Sequence, residues 1–214
     1  MWARRGLVAL LAMFTITSAS SVEAKTVKLV AFGDSLTTGY GLPKADSFAA
    51  KLEVALRARG LDVTVTNAGV SGDTASAGLA RLDWSVPQGT DGVIVELGAN
   101  DMLRGLSPAT TRKALTEILT RLKARDVPVL LAGMRAAPNM GADYQKTFDA
   151  IFPDLARDFG TLYYPFFLEG VAGTRSLNLP DGIHPTAAGI DIIVANILPK
   201  AEELVRLASR RAGQ

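Results

Sequence analysis

The chain has 214 residues, 48% of them hydrophobic and 21% charged, which is enough apolar mass to bury the core of one globular domain. A formal net charge of +2 gives no electrostatic footprint for nucleic acid. The lack of cysteine excludes disulfides, thiol nucleophiles and thiolate metal sites, and one histidine is too few for a His-rich metal site.

Residues 1–24 read as a secretory signal peptide and residues 25–214 as the domain. Arg4 and Arg5 form a basic start. Gly6 to Thr17 is apolar but too short to span a bilayer. Val22 and Ala24 are small residues at the −3 and −1 positions of a cleavage site before Lys25. An uncleaved interfacial anchor is the lesser alternative, and with no cysteine to lipidate a lipoprotein is excluded. Cleavage would remove Arg4, Arg5 and Glu23 and lower the net charge to +1. The expected destination is the periplasm or the medium, with no transmembrane segment.

From there strand and helix signals alternate. Strand one is predicted at about 27–32, an apolar run that stops at Gly33-Asp34-Ser35-Leu36. Helix one follows at about 46–59, capped by Asp46 or Ser47 and ended by Gly60. Strand two, about 62–67, alternates Val63 and Val65 with Thr64 and Thr66. A short helix at about 73–83 has Asp73 as its expected N-cap. Strand three is Val93-Ile94-Val95-Glu96-Leu97. Helix three, about 108–125, is expected to be capped by Ser107, with Pro108 at its first position and Leu115, Ile118, Leu119 and Leu122 as its stripe. Strand four is about 127–132. A helix at about 142–158 is expected to be interrupted near Pro153, and strand five is about 161–164. The last helix is predicted at about 186–208, with Pro199 expected to kink or break it.

Short β-branched strands alternating with helices predict an α/β fold: a five-stranded parallel sheet with helices on both faces. The expected strand order is 2-1-3-4-5, with a crevice at the carboxyl ends of strands one and three. The polar, glycine-rich segments all follow strands. They are Gly33-Asp34-Ser35-Leu36, Asn67 to Thr74, Gly98-Ala99-Asn100-Asp101 and, beyond strand five, Asp181-Gly182-Ile183-His184-Pro185. Parallel topology puts them on one sheet edge.

Together they make a chemical set. A serine hydroxyl needs a base to become a nucleophile, and His184 is the only histidine. Asp181, three residues earlier, is placed to orient the imidazole. An oxyanion needs fixed donors, for which the N–H of Ser35, the N–H of Gly72 and the side-chain amide of Asn100 are candidates. Each residue alone also fits a turn or a cap. Asp34, Asp73 and Asp101 are left with those roles.

At these four blocks the chain resembles the SGNH, or GDSL, hydrolase family. The four residues that name the family match as Ser35, Gly72, Asn100 and His184. The resemblance runs from about residue 27 to 199. Within the family it is similar to the bacterial periplasmic thioesterase, arylesterase and lysophospholipase group. Ala99 departs from a glycine common there, which would narrow the site or stiffen the loop. The resemblance implies a three-layer α/β/α, flavodoxin-like fold and double displacement through an acyl-enzyme on Ser35. It implies no metal and no organic cofactor. A small-molecule acyl ester or thioester is the expected substrate. The chain lacks the G-x-S-x-G elbow of the α/β-hydrolase fold.

The apolar stretches Met134 to Phe148 and Phe166 to Leu179 are expected to wall the pocket. Candidate substrate-binding residues are Met102, Met134, Pro138, Met140, Phe167 and Leu177, with core packing as the competing role. Two other functions fit the scaffold: a carbohydrate acetylesterase, which would show sugar-stacking aromatics in these loops, and a non-catalytic lipid-binding module, which would lack a triad residue.

Overall fold

A computed structural model describes residues 25–212; the signal-peptide reading lies outside the described residues. Val27–Gly33 form β1, Val63–Gly69 β2, Gly92–Glu96 β3, Val129–Ala132 β4 and Leu162–Tyr164 β5. All pair in parallel, in the order β2-β1-β3-β4-β5. That is the expected order, and it follows from right-handed crossovers that change direction once. β1 and β3 read as nearly continuous apolar runs because helices cover the sheet on both sides.

The main helices are α2 (Phe48–Ala58), α3 (Ala75–Ser85), α5 (Pro108–Ala124), α6 (Ala142–Asp149), α7 (Ile151–Phe159) and α8 (Ala187–Ala212). α2 and α8 pack together on one face of the sheet, and α3, α5 and α7 form the other layer. Between the layers lies one core, with Leu29, Phe32, Phe48, Leu52, Ile94, Leu97 and Leu115 fully buried. Two short helices were not anticipated: α1 (Ser35–Thr38) and α4 (Ala99–Leu103). Each follows a strand directly and makes a single turn, too short for a periodic apolar stripe to reveal.

Three local expectations need correction, and the interruption expected near Pro153 is found. Thr74, not Asp73, caps α3; its hydroxyl accepts from Ala77 N–H at 3.2 Å, while the Asp73 carboxylate pairs with Arg81. Ser107 makes no side-chain cap bond, and Pro108 opens α5 without one. The break in the fourth predicted helix falls at Ala150, and Pro153 lies in the first turn of α7. A proline ring clashes with the carbonyl four residues earlier, here Asp149, the last residue of α6. Ending one helix there and starting another removes the clash. Pro199, by contrast, does not break α8, which runs on to Ala212. Ile193, Val194 and Ile197 before it and Ala201, Leu204 and Val205 after it are all buried. That burial outweighs the cost of about 3 kcal/mol for an interior proline.

The carboxyl end of β1 is packed closely on both sides. Gly33 pairs with Gly69 of β2 on one side and with Glu96 of β3 on the other. A Cβ on Gly33 would collide with Thr37 Oγ1 and with the carbonyl and carboxylate oxygens of Glu96. A Cβ on Gly69 would collide with the backbone of Thr38 and Asp34. The chain can therefore turn into α1 directly at the end of the strand.

Candidate active site

α1 starts on a cap made by Asp34. Its Oδ1 accepts from Leu36 N–H at 3.0 Å, which sets Ser35 at the first helical position. No intrahelical carbonyl can reach the N–H of that position, so the Ser35 amide stays free to bond outward. Ser35 itself is buried to 8% exposure, and its hydroxyl lies 2.9 Å from Nε2 of His184.

His184 comes from the loop before α8. Its Nδ1 lies 2.7 Å from Asp181 Oδ2. The other oxygen of Asp181 accepts from the N–H groups of Ile183 and His184 at 2.9 and 3.0 Å. Gly182, with φ of +72°, makes the turn that lets one carboxylate meet both its own loop and the ring. These backbone bonds, and then the imidazole, hold Asp181 down at about 2. An ionised carboxylate only accepts, so Nδ1 carries a proton in this pair. In neutral imidazole that leaves Nε2 bare, ready to accept from Ser35.

The candidate donors Asn100 and Gly72 come from the segments after β3 and β2. Asn100 lies in the first turn of α4, after Gly98 at φ of +118°. Its Nδ2 donates to Asp34 Oδ2 and to the carbonyl of Asp73, both at 3.0 Å. Asn100 thus ties the residue before Ser35 to the residue after Gly72. Gly72 has φ of +87°, and its carbonyl accepts from the Arg104 guanidinium at 2.6 Å. Ala99 is half-buried and packs on the core, directly before Asn100.

A buried layer beneath holds these loops. Arg81 Nε pairs with Asp73 at 2.5 Å, and its two terminal nitrogens donate to the carbonyls of Ala68 and Gly33 and to the Ser85 hydroxyl. Its guanidinium also lies 4.5 Å over the Phe32 ring. Asp101 accepts from Ala75 N–H and Thr111 Oγ1, which fastens α4 to α3 and α5. Glu96 Oε2 lies 2.8 Å from Thr37 Oγ1, and it accepts from Asp34 N–H at 3.4 Å. Arg81, Arg104, Thr37 and Glu96 were not singled out in the sequence. Glu96 carried a readable signal, an acid within a Val-Ile-Val-Leu run.

The candidate substrate residues divide. Met134 and Phe167 are core residues, 3% and 0% exposed, and Phe167 meets Phe48 edge-on at 4.9 Å. This corrects the expectation that they wall a pocket. Met102, Met140 and Leu177 are partly buried against the core, and Pro138 is exposed. Other large apolar side chains are exposed on or next to the segments that follow the strands. The Tyr40 ring lies 4.4 Å from the His184 ring, tilted by 35°; Val70 and Ile183 belong to two of the motif loops, and Leu103 ends α4. A cavity of about 490 Å³ adjoins the catalytic loop, lined by residues that include Arg175, Leu179, Pro180 and Gly182.

The model of the GDSL-like lipase/acylhydrolase family matches residues 31–192. The chain belongs to this family. It is 39% identical over 180 residues to an arylesterase of Vibrio mimicus, covering 84% of this chain and 88% of the relative. It is 39% identical over 158 residues to thioesterase 1/protease 1/lysophospholipase L1 of Escherichia coli K12, covering 73% and 74%. The crystal structure of AlinE4, described as an SGNH-hydrolase family esterase, is 48% identical and superposes with a TM-score of 0.71, covering 84% of this chain and 96% of that one. Family and fold together make this protein a hydrolase of acyl bonds.

Burial pushes Asp34 up to about 6, against the Leu36 N–H, the Asn100 amide and the charge of His184, which favour its ionised form. A carboxyl group whose folded value is raised binds its proton more tightly in the folded state. Its contribution to stability is therefore complete below the ordinary aspartate range and is lost as the pH rises through about 6. The melting temperature of the wild type minus that of Asp34→Asn should fall as the pH is raised from about 4 to about 8. A difference that does not change with pH would contradict the raised value.

Proposed function

We propose that this protein is a serine esterase that hydrolyses carboxylic esters and thioesters, including aryl esters and lysophospholipids, through an acyl-enzyme on Ser35. The observation that carries the reading is the unbroken line of short contacts from Asp181 to His184 at 2.7 Å and from His184 to Ser35 at 2.9 Å.

In this reading Ser35 Oγ attacks the carbonyl carbon while its proton passes to His184 Nε2. The imidazolium so formed is stabilised by Asp181, which stays charged because its bonds hold it at about 2. The carbonyl oxygen becomes an oxyanion and is met by the N–H of Ser35, the N–H of Gly72 and the Asn100 amide. Both Asn100 hydrogens are already engaged, one by Asp34 and one by Asp73 O. The one on Asp73 O is the one to turn to the oxyanion, because a neutral carbonyl is a weaker acceptor than an ionised carboxylate. Collapse then expels the alcohol or thiol, which takes the proton from His184. Water, activated by the same nitrogen, releases the acid and restores Ser35.

The exposed Tyr40, Val70, Leu103 and Ile183 offer an apolar rim suited to acyl and aryl groups. The names of the relatives, an arylesterase and a thioesterase/lysophospholipase, support the same substrate range. Trp84 does not support the acetylated-sugar reading: 72% exposed, it lies at the last turn of α3, away from the carboxyl edge of the sheet.

Among the described residues no helix is long and apolar enough to cross a membrane. We further propose export on the leader 1–24. Sequencing the amino terminus of the exported protein tests this: Lys25 as first residue supports it, and an intact Met1 or Trp2 contradicts it.

The activity test uses p-nitrophenyl esters from acetate to palmitate. Ser35→Ala should lower kcat by about a thousandfold or more, and Asn100→Ala by about a hundred- to thousandfold. Turnover should peak at medium or long chains. Activity confined to acetate would favour the acetylesterase, and substantial turnover by Ser35→Ala would sink the nucleophile assignment.

A further inference from the structure

Glu96 ends β3 directly under the site and is fully buried. Its partners are few. Oε2 has the Thr37 hydroxyl at 2.8 Å and the Asp34 N–H at 3.4 Å, and Oε1 has none. The buried cation of the region, Arg81, spends its guanidinium on Asp73, Ser85 and the carbonyls of Ala68 and Gly33. An ionised carboxylate in this fully buried position would leave one oxygen without a protein partner, which costs several kcal/mol by the general rule for buried charge. It would also stand against a second buried acid, Asp34, which the site needs as an acceptor.

We propose that Glu96 is a positioning residue held as a neutral carboxylic acid, so that the single negative charge of this buried pair rests on Asp34 and holds the Asn100 amide in place. The proton sits on Oε2 and is donated to Thr37 Oγ1, so the hydroxyl accepts. Oε1 is then a carbonyl oxygen, the less costly atom to leave without a partner. Burial, and next the charge of Asp34, push Glu96 well above the ordinary glutamate range, against the bonds from the Thr37 hydroxyl and from the N–H groups of Asp34 and Thr37, which favour its ionised form. The pair has other charged neighbours. Asp101 faces Asp34 from α4 and opposes its ionisation, while His184 faces it from the loop before α8 and favours it. Arg81 and Asp73 pair with each other from α3 and the loop before it, and Asp181 stands behind His184.

The consequence reaches the reaction through Asn100. With Glu96 neutral, Asp34 carries the charge that makes it a strong acceptor for Asn100 Nδ2 and a second anion near the imidazolium. With Glu96 ionised, Asp34 would take up the proton instead and its grip on Asn100 would weaken. This effect on turnover rests on the reading of Asn100 as an oxyanion donor, whereas the charge state of Glu96 does not.

The test labels the protein with carboxyl-13C glutamate and assigns Glu96 as the signal missing from Glu96→Gln. That signal should keep the protonated-carboxyl position from about pH 5 to about pH 8, where an ordinary glutamate is ionised. Glu96→Gln, a neutral group of the same shape, should keep kcat/KM within about threefold, while Glu96→Ala should lower kcat by about tenfold or more at unchanged KM. An ionised Glu96 signal at neutral pH would overturn the proposal. So would a Glu96→Gln variant as impaired as Glu96→Ala. If Glu96→Gln does not accumulate as folded protein, the infrared spectrum of the labelled wild type carries the test. A protonated-carboxyl band at neutral pH supports the proposal and its absence overturns it. Turnover by Ser35→Ala would remove the serine mechanism and leave the carboxyl signal where it is.

Discussion

A buried carboxylate has to be satisfied from within the protein, and Asp34 is the one on which this site depends. It is fully buried, yet it accepts from Leu36 N–H with one oxygen and from Asn100 Nδ2 with the other. The first bond starts α1 and presents Ser35 at the end of β1. The second draws in the loop after β3, and Asn100 reaches on to Asp73 and the loop after β2. One side chain thus joins three of the four segments that follow strands. The fourth, from Asp181 to His184, is organised by Asp181, whose two oxygens fix the loop and the imidazole together.

Several backbone carbonyls around the site are held from behind by arginine side chains. Arg81 takes the carbonyls of Gly33 and Ala68 and the side chain of Asp73, and Arg104 takes the carbonyl of Gly72. These bonds fix the peptide groups Gly33–Asp34, Ala68–Gly69 and Gly72–Asp73, and through them the course of the loops that carry Ser35 and Gly72. Fixed donors cost no reorganisation when charge develops in the transition state, and this is the main source of catalytic power in such sites. The glycines at 33 and 69 serve the same end, since any side chain there would push α1 off the strand end.

Much of this was readable in the chain. Strand order and layers followed from apolar runs alternating with helical stripes, because in a parallel sheet burial dictates both. The four polar segments were visible because each interrupts an apolar pattern at a strand end. Local end effects were less legible. Asp73 and Thr74 are both good caps, and only the engagement of Asp73 with Arg81 decides between them. Pro199 reads as a breaker, but the buried stripe on either side of it belongs to tertiary structure. Met134 and Phe167 look like pocket linings because loops and core draw on the same apolar residues. The proposed rim draws instead on Tyr40, Val70, Leu103 and Ile183, exposed single apolar residues inside or beside the polar motifs. Glu96 and Arg81 are long-range partners, and no spacing rule links them to Ser35.

The claim at the centre of this account is that Ser35, activated by His184, takes the acyl group. The most direct measurement is peptide mass mapping after treatment with a p-nitrophenyl alkylphosphonate, which mimics the tetrahedral species. The account predicts a single adduct on the peptide that contains Ser35, lost when His184 is replaced by alanine. An adduct on another residue, or the same labelling of Ser35 without His184, would contradict it.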